Sequence, residues 1–339
     1  MIVLGIESSC DESSVGIVRD GRQILALSTF SQVVLHEKKG GVIPEVAAHS
    51  HVEQILPQVS LSLQQAGLSL EQIDLFAATM GPGLLGCLLI GMNMAKAFSL
   101  SLNRPFIGVN HLHAHLYAAQ LSTLEPISFP ALGCILSGGH TLLLYMDSMH
   151  RYHCLGQTVD DAVGEAFDKV ALLLGGSYPG GALIEKWARE GDSEKYAFRA
   201  GRVAGAPLSF SYSGLKTQVL YTLKGNNAHR SSENLLAEGE FVHLAASFQR
   251  AIFSDLVEKI YLAQRKFPCE NLLFGGGVCR NRALREYLKE HFSNCTLHWP
   301  TEELCLDNGA MIAGLAYEKK REGGKKETLL LEPSPQLFL

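Results

Sequence analysis

One short programme of elements is written twice along this chain, and that constrains its fold more than any other feature. Residues 2–6 are a fully apolar stretch, residues 7–12 a polar turn, and residues 13–17 take up the apolar pattern again. Asp20-Gly21 then separates this segment from residues 23–28, a dipeptide that favours a two-residue hairpin. The N-terminus therefore reads as an antiparallel meander. Residues 73–79 read as a buried strand, and residues 81–86 turn into a helix that runs through residue 100. The second half repeats both units. Residues 131–136, the turn Ser137-Gly138-Gly139-His140 and residues 141–145 give strand, polar turn and strand. Residues 271–274, Gly275-Gly276-Gly277 and residues 281–289 give strand, glycine turn and helix. An element order that recurs without sequence similarity indicates a structural duplication. The expected fold class is α/β, with two lobes whose polar turns face a cleft.

The remaining segments fill in this plan. Pro44 opens a helix to about residue 66, with Val46, Ala47, Ile55 and Val59 spaced for one face. Residues 106–109 read as a strand and residues 111–121 as a helix. The first lobe is expected at residues 1–125, joined by a C-terminal helix at 308–325. The second lobe is expected at 126–307, with an insertion rich in Gly, Ser and charge at about 175–234.

Composition excludes several classes. Of 339 residues, 47% are hydrophobic and 19% charged, which is too apolar for a disordered or fibrous chain. A net charge of −5 argues against a generally basic nucleic-acid binder and leaves room for a local basic patch. The longest apolar run, residues 84–92, is too short to span a bilayer. The N-terminus meets Glu7 and Asp11 without the basic region of a signal peptide. Eight cysteines contain no Cys-x-x-Cys pair and read as reduced, mostly buried thiols. A soluble cytoplasmic protein is expected.

Gly81-Pro82-Gly83-Leu84-Leu85-Gly86 has the spacing of a dinucleotide-binding turn, yet residues 75–124 offer no Asp or Glu for a ribose. Pro82 also removes an amide that would hold a pyrophosphate, so a tight turn with close helix–strand packing is the better reading. His111-Leu112-His113-Ala114-His115 puts His111 and His115 on one helix face, with His113 pointing away. Such a pair is either a bidentate metal site awaiting a third ligand or two cleft histidines without a metal. Leu112 stands where a zinc protease needs its Glu, so a protease is disfavoured. Asp307 is a candidate third ligand, and its place before the apolar stretch 311–317 suits a helix N-cap equally. The glycine turns at 137–140 and 275–277 suit phosphate held by backbone amides, or turn formation alone. Tyr178-Pro179-Gly180-Gly181 and residues 211–216 read as surface loops bearing hydroxyls and one amine. Residues 319–326 form a basic patch, either a solvated helix end or an RNA contact.

Together these segments resemble one family across nearly the whole chain. Gly5-Ile-Glu-Ser-Ser-Cys-Asp-Glu12, Gly40-Gly-Val-Ile-Pro-Glu45, the 81–86 turn, the 111–115 histidines, Ser137-Gly-Gly-His140, Gly164-Glu-Ala-Phe-Asp-Lys169, Tyr178-Pro-Gly-Gly181, Ser213-Gly-Leu-Lys-Thr217, Gly275-Gly-Gly-Val278 with Asn281, and Asp307-Asn308 come in that family's order. It is the bacterial tRNA N6-adenosine threonylcarbamoyltransferase family, formerly described as glycoprotein endopeptidases. The resemblance implies an actin-like, sugar-kinase-like ATPase fold. It implies transfer of threonylcarbamoyl from threonylcarbamoyl-AMP to the N6 amine of adenosine 37 in tRNAs reading codons that begin with A. It further implies that His111, His115 and Asp307 hold one divalent metal, usually Fe2+, with Zn2+ as the other choice. Ile135, Leu136, Ser137, Gly138 and Gly139, with Asp168, Gly181, Glu185 and Asn281, match the positions that hold the threonylcarbamoyl-adenylate or nucleotide. Glu185 replaces a residue that is often a shorter Asp, and His49 stands where relatives commonly have Arg. The implied partners are tRNA, a paralogous actin-like protein (TsaB-type) on the first lobe and a small ATPase (TsaE-type).

The chemistry is consistent with that reading. An aromatic exocyclic amine is a poor nucleophile, so its acyl donor must be a strongly activated one such as a carbamoyl–phosphate anhydride. A metal on two His and one Asp keeps open positions for polarising donor oxygens, and glycine-turn amides would hold the phosphate. Asp11 and Glu12, in the first polar turn, are the nearest candidates for removing the amine proton, or else a turn-capping acidic pair. A small-molecule kinase on the same fold is the competing function, because fold does not fix chemistry.

Overall fold

The computed structural model describes residues 1–37, 41–225, 236, 239–323 and 329–337. The chain divides into two compact units, Met1–Ile127 with Trp299–Leu339, and Ser128–His298. In chain order the first unit holds β1 (Ile2–Glu7), β2 (Glu12–Arg19), β3 (Gln23–Ser31), α1 (Val33–Glu37), α2 (Pro44–Ala66), β4 (Leu75–Gly81), α3 (Leu85–Ser101), β5 (Phe106–Asn110) and α4 (His111–Leu121). The second unit follows with β6 (Ala131–Leu136), β7 (Thr141–Met146), β8 (Tyr152–Gln157), α5 (Val163–Leu173), α6 (Gly181–Ala188), α7 (Ser213–Lys224), α8 (Phe241–Lys266), β9 (Asn271–Gly275), α9 (Arg282–His291) and β10 (Thr296–His298). Helix α10 (Gly309–Arg321) returns to the first unit. Residues 299–307, assigned to the second lobe from sequence, group with the first unit, and residues 324 and 325 of the expected last helix lie outside the described residues.

Both units carry the same sheet. The first has strand order β3-β2-β1-β4-β5 and the second β10-β9-β6-β7-β8. In each, the opening strand pairs antiparallel with the next and parallel with the strand that follows the helical connection. Asp20 and Gly21 take positive φ at the β2–β3 turn, closed by the Arg22 amide on the Arg19 carbonyl at 3.1 Å, and with Arg19 paired to Gln23 the hairpin loop is three residues, one more than the dipeptide suggests. On one face of the first sheet, Leu4, Ile6, Val15, Ile17, Phe76 and Ala78 pack with Ile55 and Val59 of α2 and Met92 and Ala95 of α3. Gly5 and Gly16, paired across β1 and β2, admit α10, because a Cβ on Gly5 would sit 2.4 Å from the Ala313 amide nitrogen. That close approach fixes the start of α10, and with it Asp307.

Three local expectations need correction. Val46, placed on the buried face of α2, is exposed, while Ala47, Ile55 and Val59 are buried. The segment 213–216, read as loop, is the first turn of α7. The Tyr212 and Ser213 amides and both serine hydroxyls at 211 and 213 donate to Asp160, an acceptor far back in sequence. Lys319 is drawn from the basic patch to donate to the Gly108 carbonyl at 2.8 Å, and Lys325 and Lys326 lie outside the described residues. Residues 226–234 of the insertion also lie outside them. Among the described residues no helix is long and apolar enough to cross a membrane.

Candidate active site

In the first unit, α4 begins at the carboxyl end of β5, where Asn110 caps it by accepting from the His113 amide. His111 and His115 then share one face, with ring centroids 4.6 Å apart, edge to face. Asp307 reaches them from the segment before α10, its Oδ1 3.6 Å from His111 Nε2 and 3.2 Å from His115 Nε2. Ligand atoms of the three residues lie within 4.8 Å of one another. Asp307 is not the helix cap. Asn308 is, accepting from the Met311 amide. His115 is fully buried, and neither ring nitrogen has a hydrogen-bond partner among the described residues. Buried imidazole nitrogens left in that state, beside a carboxylate and a second imidazole, are what a divalent metal satisfies. The residues present fit the metal.

Glu7, at the end of β1, lies behind this triad and was not singled out from sequence. It is fully buried and accepts three hydrogen bonds, from the Ser9 amide at 2.6 Å, the Thr79 hydroxyl at 2.5 Å and His111 Nδ1 at 3.0 Å. Burial works to raise its pKa, but the charge and hydrogen bond of His111, with Thr79, bring it below the usual carboxylate value. His111 moves the opposite way. Burial opposes its charge, and Asp307 and Glu7 outweigh burial to push the pKa up to about 9. The polar turn between β1 and β2 lines the same region. Asp11 is nearly buried, and Glu12 is pushed well above the carboxylate range by burial, then by Asp307 and Asp11. Burial likewise raises the Cys10 thiol, helped by Asp11 and Asp307. His49 is exposed on α2, 3.7 Å from Glu53.

The other expected site residues gather in the second unit, at the carboxyl ends of β6 and β9. Ile135 and Leu136 end β6, and the Ser137 amide and carbonyl are held by the His140 carbonyl and the Gly164 amide. Gly164, in the first turn of α5, lies so close under Gly138 that a Cβ there would come within 2.8 Å of the Gly138 Cα. On Gly138, Gly139 and Gly181 a Cβ would meet nothing within 4 Å, so these three backbones border open space. Asp168 accepts the Gly180 amide at 2.6 Å and so fixes the turn into α6. Burial raises its pKa, against the Gly180 and Gly181 amides. Glu185 accepts from Arg189 at 2.9 Å and from the Arg282 amide at 3.2 Å, tying α6 to the start of α9. Asn281 caps α9 through the Leu284 amide and donates to Gln249 at 2.8 Å.

The sequence model of the family described as TsaD, tRNA N6-adenosine threonylcarbamoyltransferase, matches residues 23–314. This chain belongs to that family. A relative from Protochlamydia amoebophila, named tRNA N6-adenosine threonylcarbamoyltransferase, is 52% identical over 334 residues, covering 98% of this chain and 97% of its own. Among solved structures, full-length HypF in its phosphate- and nucleotide-bound form matches with a TM-score of 0.63 at 13% identity, over 96% of this chain and 47% of its own. Component A of the Acidaminococcus fermentans (R)-2-hydroxyglutaryl-CoA dehydratase matches with a TM-score of 0.56 at 16% identity, over 95% and 99%. Likeness at such identities concerns the fold alone, the duplicated actin-like ATPase fold. The TsaD family model and the transferase name of the high-identity relative do not favour the kinase alternative.

Proposed function

We propose that this chain transfers the threonylcarbamoyl group from threonylcarbamoyl-AMP to N6 of adenosine 37 in tRNAs reading codons that begin with A, releasing AMP. Family membership together with the His111–His115–Asp307 cluster, its two histidines buried, carries the reading. In the reaction the N6 lone pair attacks the carbamoyl carbon, the bond from that carbon to the phosphate oxygen breaks, and AMP leaves with the electron pair. His111, His115 and Asp307 would hold the metal; a two-His, one-carboxylate set serves Fe2+ or Zn2+, and the family resemblance puts Fe2+ first. Such an ion supplies Lewis-acid polarisation of donor oxygens.

The chain's own groups do the rest. The backbones of Gly138, Gly139 and Gly181 receive the adenylate beside Ser137, Asp168, Glu185 and Asn281, and Asp168 also holds the turn that presents Gly181. Asp11 or Glu12 takes the N6 proton. Both carboxyls sit in the polar turn between β1 and β2, with Asp307 and Asp11 among the charges that act on Glu12.

The partners in this reading are tRNA, a paralogous actin-like protein and a small ATPase. Support comes from the outer face of α2 and α3, where Val52, Leu56, Leu85 and Leu89 are exposed at 39–64%. The cytoplasm is the compartment where such a substrate is found. The test mixes purified protein with tRNA, threonylcarbamoyl-AMP and the partner proteins, followed by mass analysis of the nucleosides. Threonylcarbamoyladenosine beside the anticodon supports the reading, and unmodified adenosine overturns it.

A further inference from the structure

The Ser9–Asp11 turn is gripped by three elements, each holding one of its carbonyls. The Ser9 carbonyl accepts from the Leu84 amide at 2.8 Å, and the Asp11 carbonyl from the Gln32 amide at 3.0 Å. Between them, the Cys10 carbonyl lies 3.0 Å from His51 Nε2. Two of these donors are backbone amides, which any sequence would supply. The third is a side chain, so of these three carbonyl contacts it is the one that depends on residue identity.

His51 is built for that task. It lies on the inner face of α2 and is fully buried. Its Nδ1 is 2.7 Å from the Ser13 hydroxyl. With Nε2 donating to a carbonyl, Nδ1 must accept, so the Ser13 hydroxyl donates and selects the tautomer. Burial lowers the pKa of His51, against the Cys10 carbonyl and the charges of Glu7 and Asp11, which favours the neutral ring this arrangement needs. The imidazole spans from α2 to the peptide that precedes Asp11 and Glu12.

We propose that His51 is a positioning residue for the transfer reaction, holding the Cys10–Glu12 turn through the Cys10 carbonyl so that the Asp11 and Glu12 carboxylates keep their place near the triad. This rests on the reading of Asp11 and Glu12 as proton acceptors. A carboxylate displaced by about 1 Å costs on the order of a hundredfold in rate when proton transfer depends on it.

The experiment compares His51→Leu, His51→Gln and Ser13→Ala in the full chain with partner proteins, tRNA and donor. Metal content, melting temperature, kcat, KM and amide hydrogen exchange across residues 8–13 are recorded. Gln offers an amide N–H that reaches toward the Nε2 position, whereas Leu fills the space without a donor. His51→Leu should lower kcat about 10- to 100-fold with KM within about twofold, and speed exchange in the turn. His51→Gln should recover most of both, and Ser13→Ala should lie between. Metal content should stay at the wild-type level throughout. Wild-type kcat in His51→Leu overturns the proposal. So does a Gln variant as slow as Leu, with both losing melting temperature in step with kcat, which marks a merely structural residue. If the wild-type chain modifies no tRNA, the transfer reading fails, and the exchange comparison still tells whether His51 holds the turn.

Discussion

His111 Nδ1 lies 3.0 Å from Glu7 Oε2, so the first strand of the chain sets the rotation of a candidate metal ligand carried on α4. The contact commits Nδ1 to hydrogen bonding and leaves Nε2 facing His115 and Asp307. Among the described residues His115 has no such partner on Nδ1, so the two imidazoles are held unequally. A carboxylate behind a metal-bound imidazole fixes its orientation and raises its basicity, and losing it costs metal affinity about 10- to 100-fold. Glu7→Gln should show a loss of that size when metal-free protein is titrated with Fe2+, Zn2+ or Co2+. An unchanged dissociation constant would falsify the role given to Glu7.

The same pair sets a pH dependence in the metal-free protein. His111 has a folded-state pKa raised to about 9, above the ordinary imidazole value of 6.5. A raised cationic pKa contributes stability that is full below about 6.5 and is lost as pH climbs through about 9. Melting temperature of the metal-free chain should therefore fall between those limits, and His111→Ala should flatten the slope. Metal displaces the same proton, so metal uptake at pH 7 should release acid, measurable in weakly buffered solution. Neutral uptake would count against a charged His111.

The duplication was legible because it is written in period and punctuation. Apolar stretches flank Asp20-Gly21 and Ser137-Gly138-Gly139, and helices follow glycine turns. The His111–His115 face followed from helical spacing, and Asp307 stood as a candidate third ligand or a helix cap until the family resemblance favoured the ligand. What spacing does not carry are contacts made by tertiary folding. Asp160 caps α7 from more than fifty residues away, so the serines at 211 and 213 looked like loop residues. Glu7 read as the first residue of the polar turn 7–12, whereas it ends β1, and nothing local said that it faces α4. Val46 fitted a buried stripe by spacing alone, yet it is exposed.

In the second unit, Asp168 matters through the turn it holds. Its carboxylate takes the Gly180 amide at 2.6 Å, next to the open Gly181 backbone. A hydrogen bond to a charged group contributes about 1.5–3 kcal/mol, so Asp168→Ala should weaken adenylate binding about tenfold or more. Calorimetric titration with a non-hydrolysable adenylate checks this. Metal content should be untouched, because the triad belongs to the other unit. A coupled loss of metal would point to general unfolding instead.

The last prediction concerns partners. A tRNA presents many phosphates, and binding several of them takes clustered basic side chains. Here 29 Lys and Arg stand against 34 Asp and Glu, and the basic residues of α9 alternate with Glu286 and Glu290. The first unit offers instead an apolar outer face, with Val52 and Leu56 one turn apart on α2 and Leu85 and Leu89 one turn apart on α3. These side chains are exposed at 39–64%, so charging one disturbs little core packing and should cost little stability. Leu56→Asp or Leu89→Asp should therefore leave the melting temperature within a few degrees while abolishing partner-dependent tRNA modification. The wild-type chain on its own should turn over poorly. Sustained multiple turnover by the isolated chain, or full partner-dependent activity in both charged variants, would show that this face docks nothing the reaction needs.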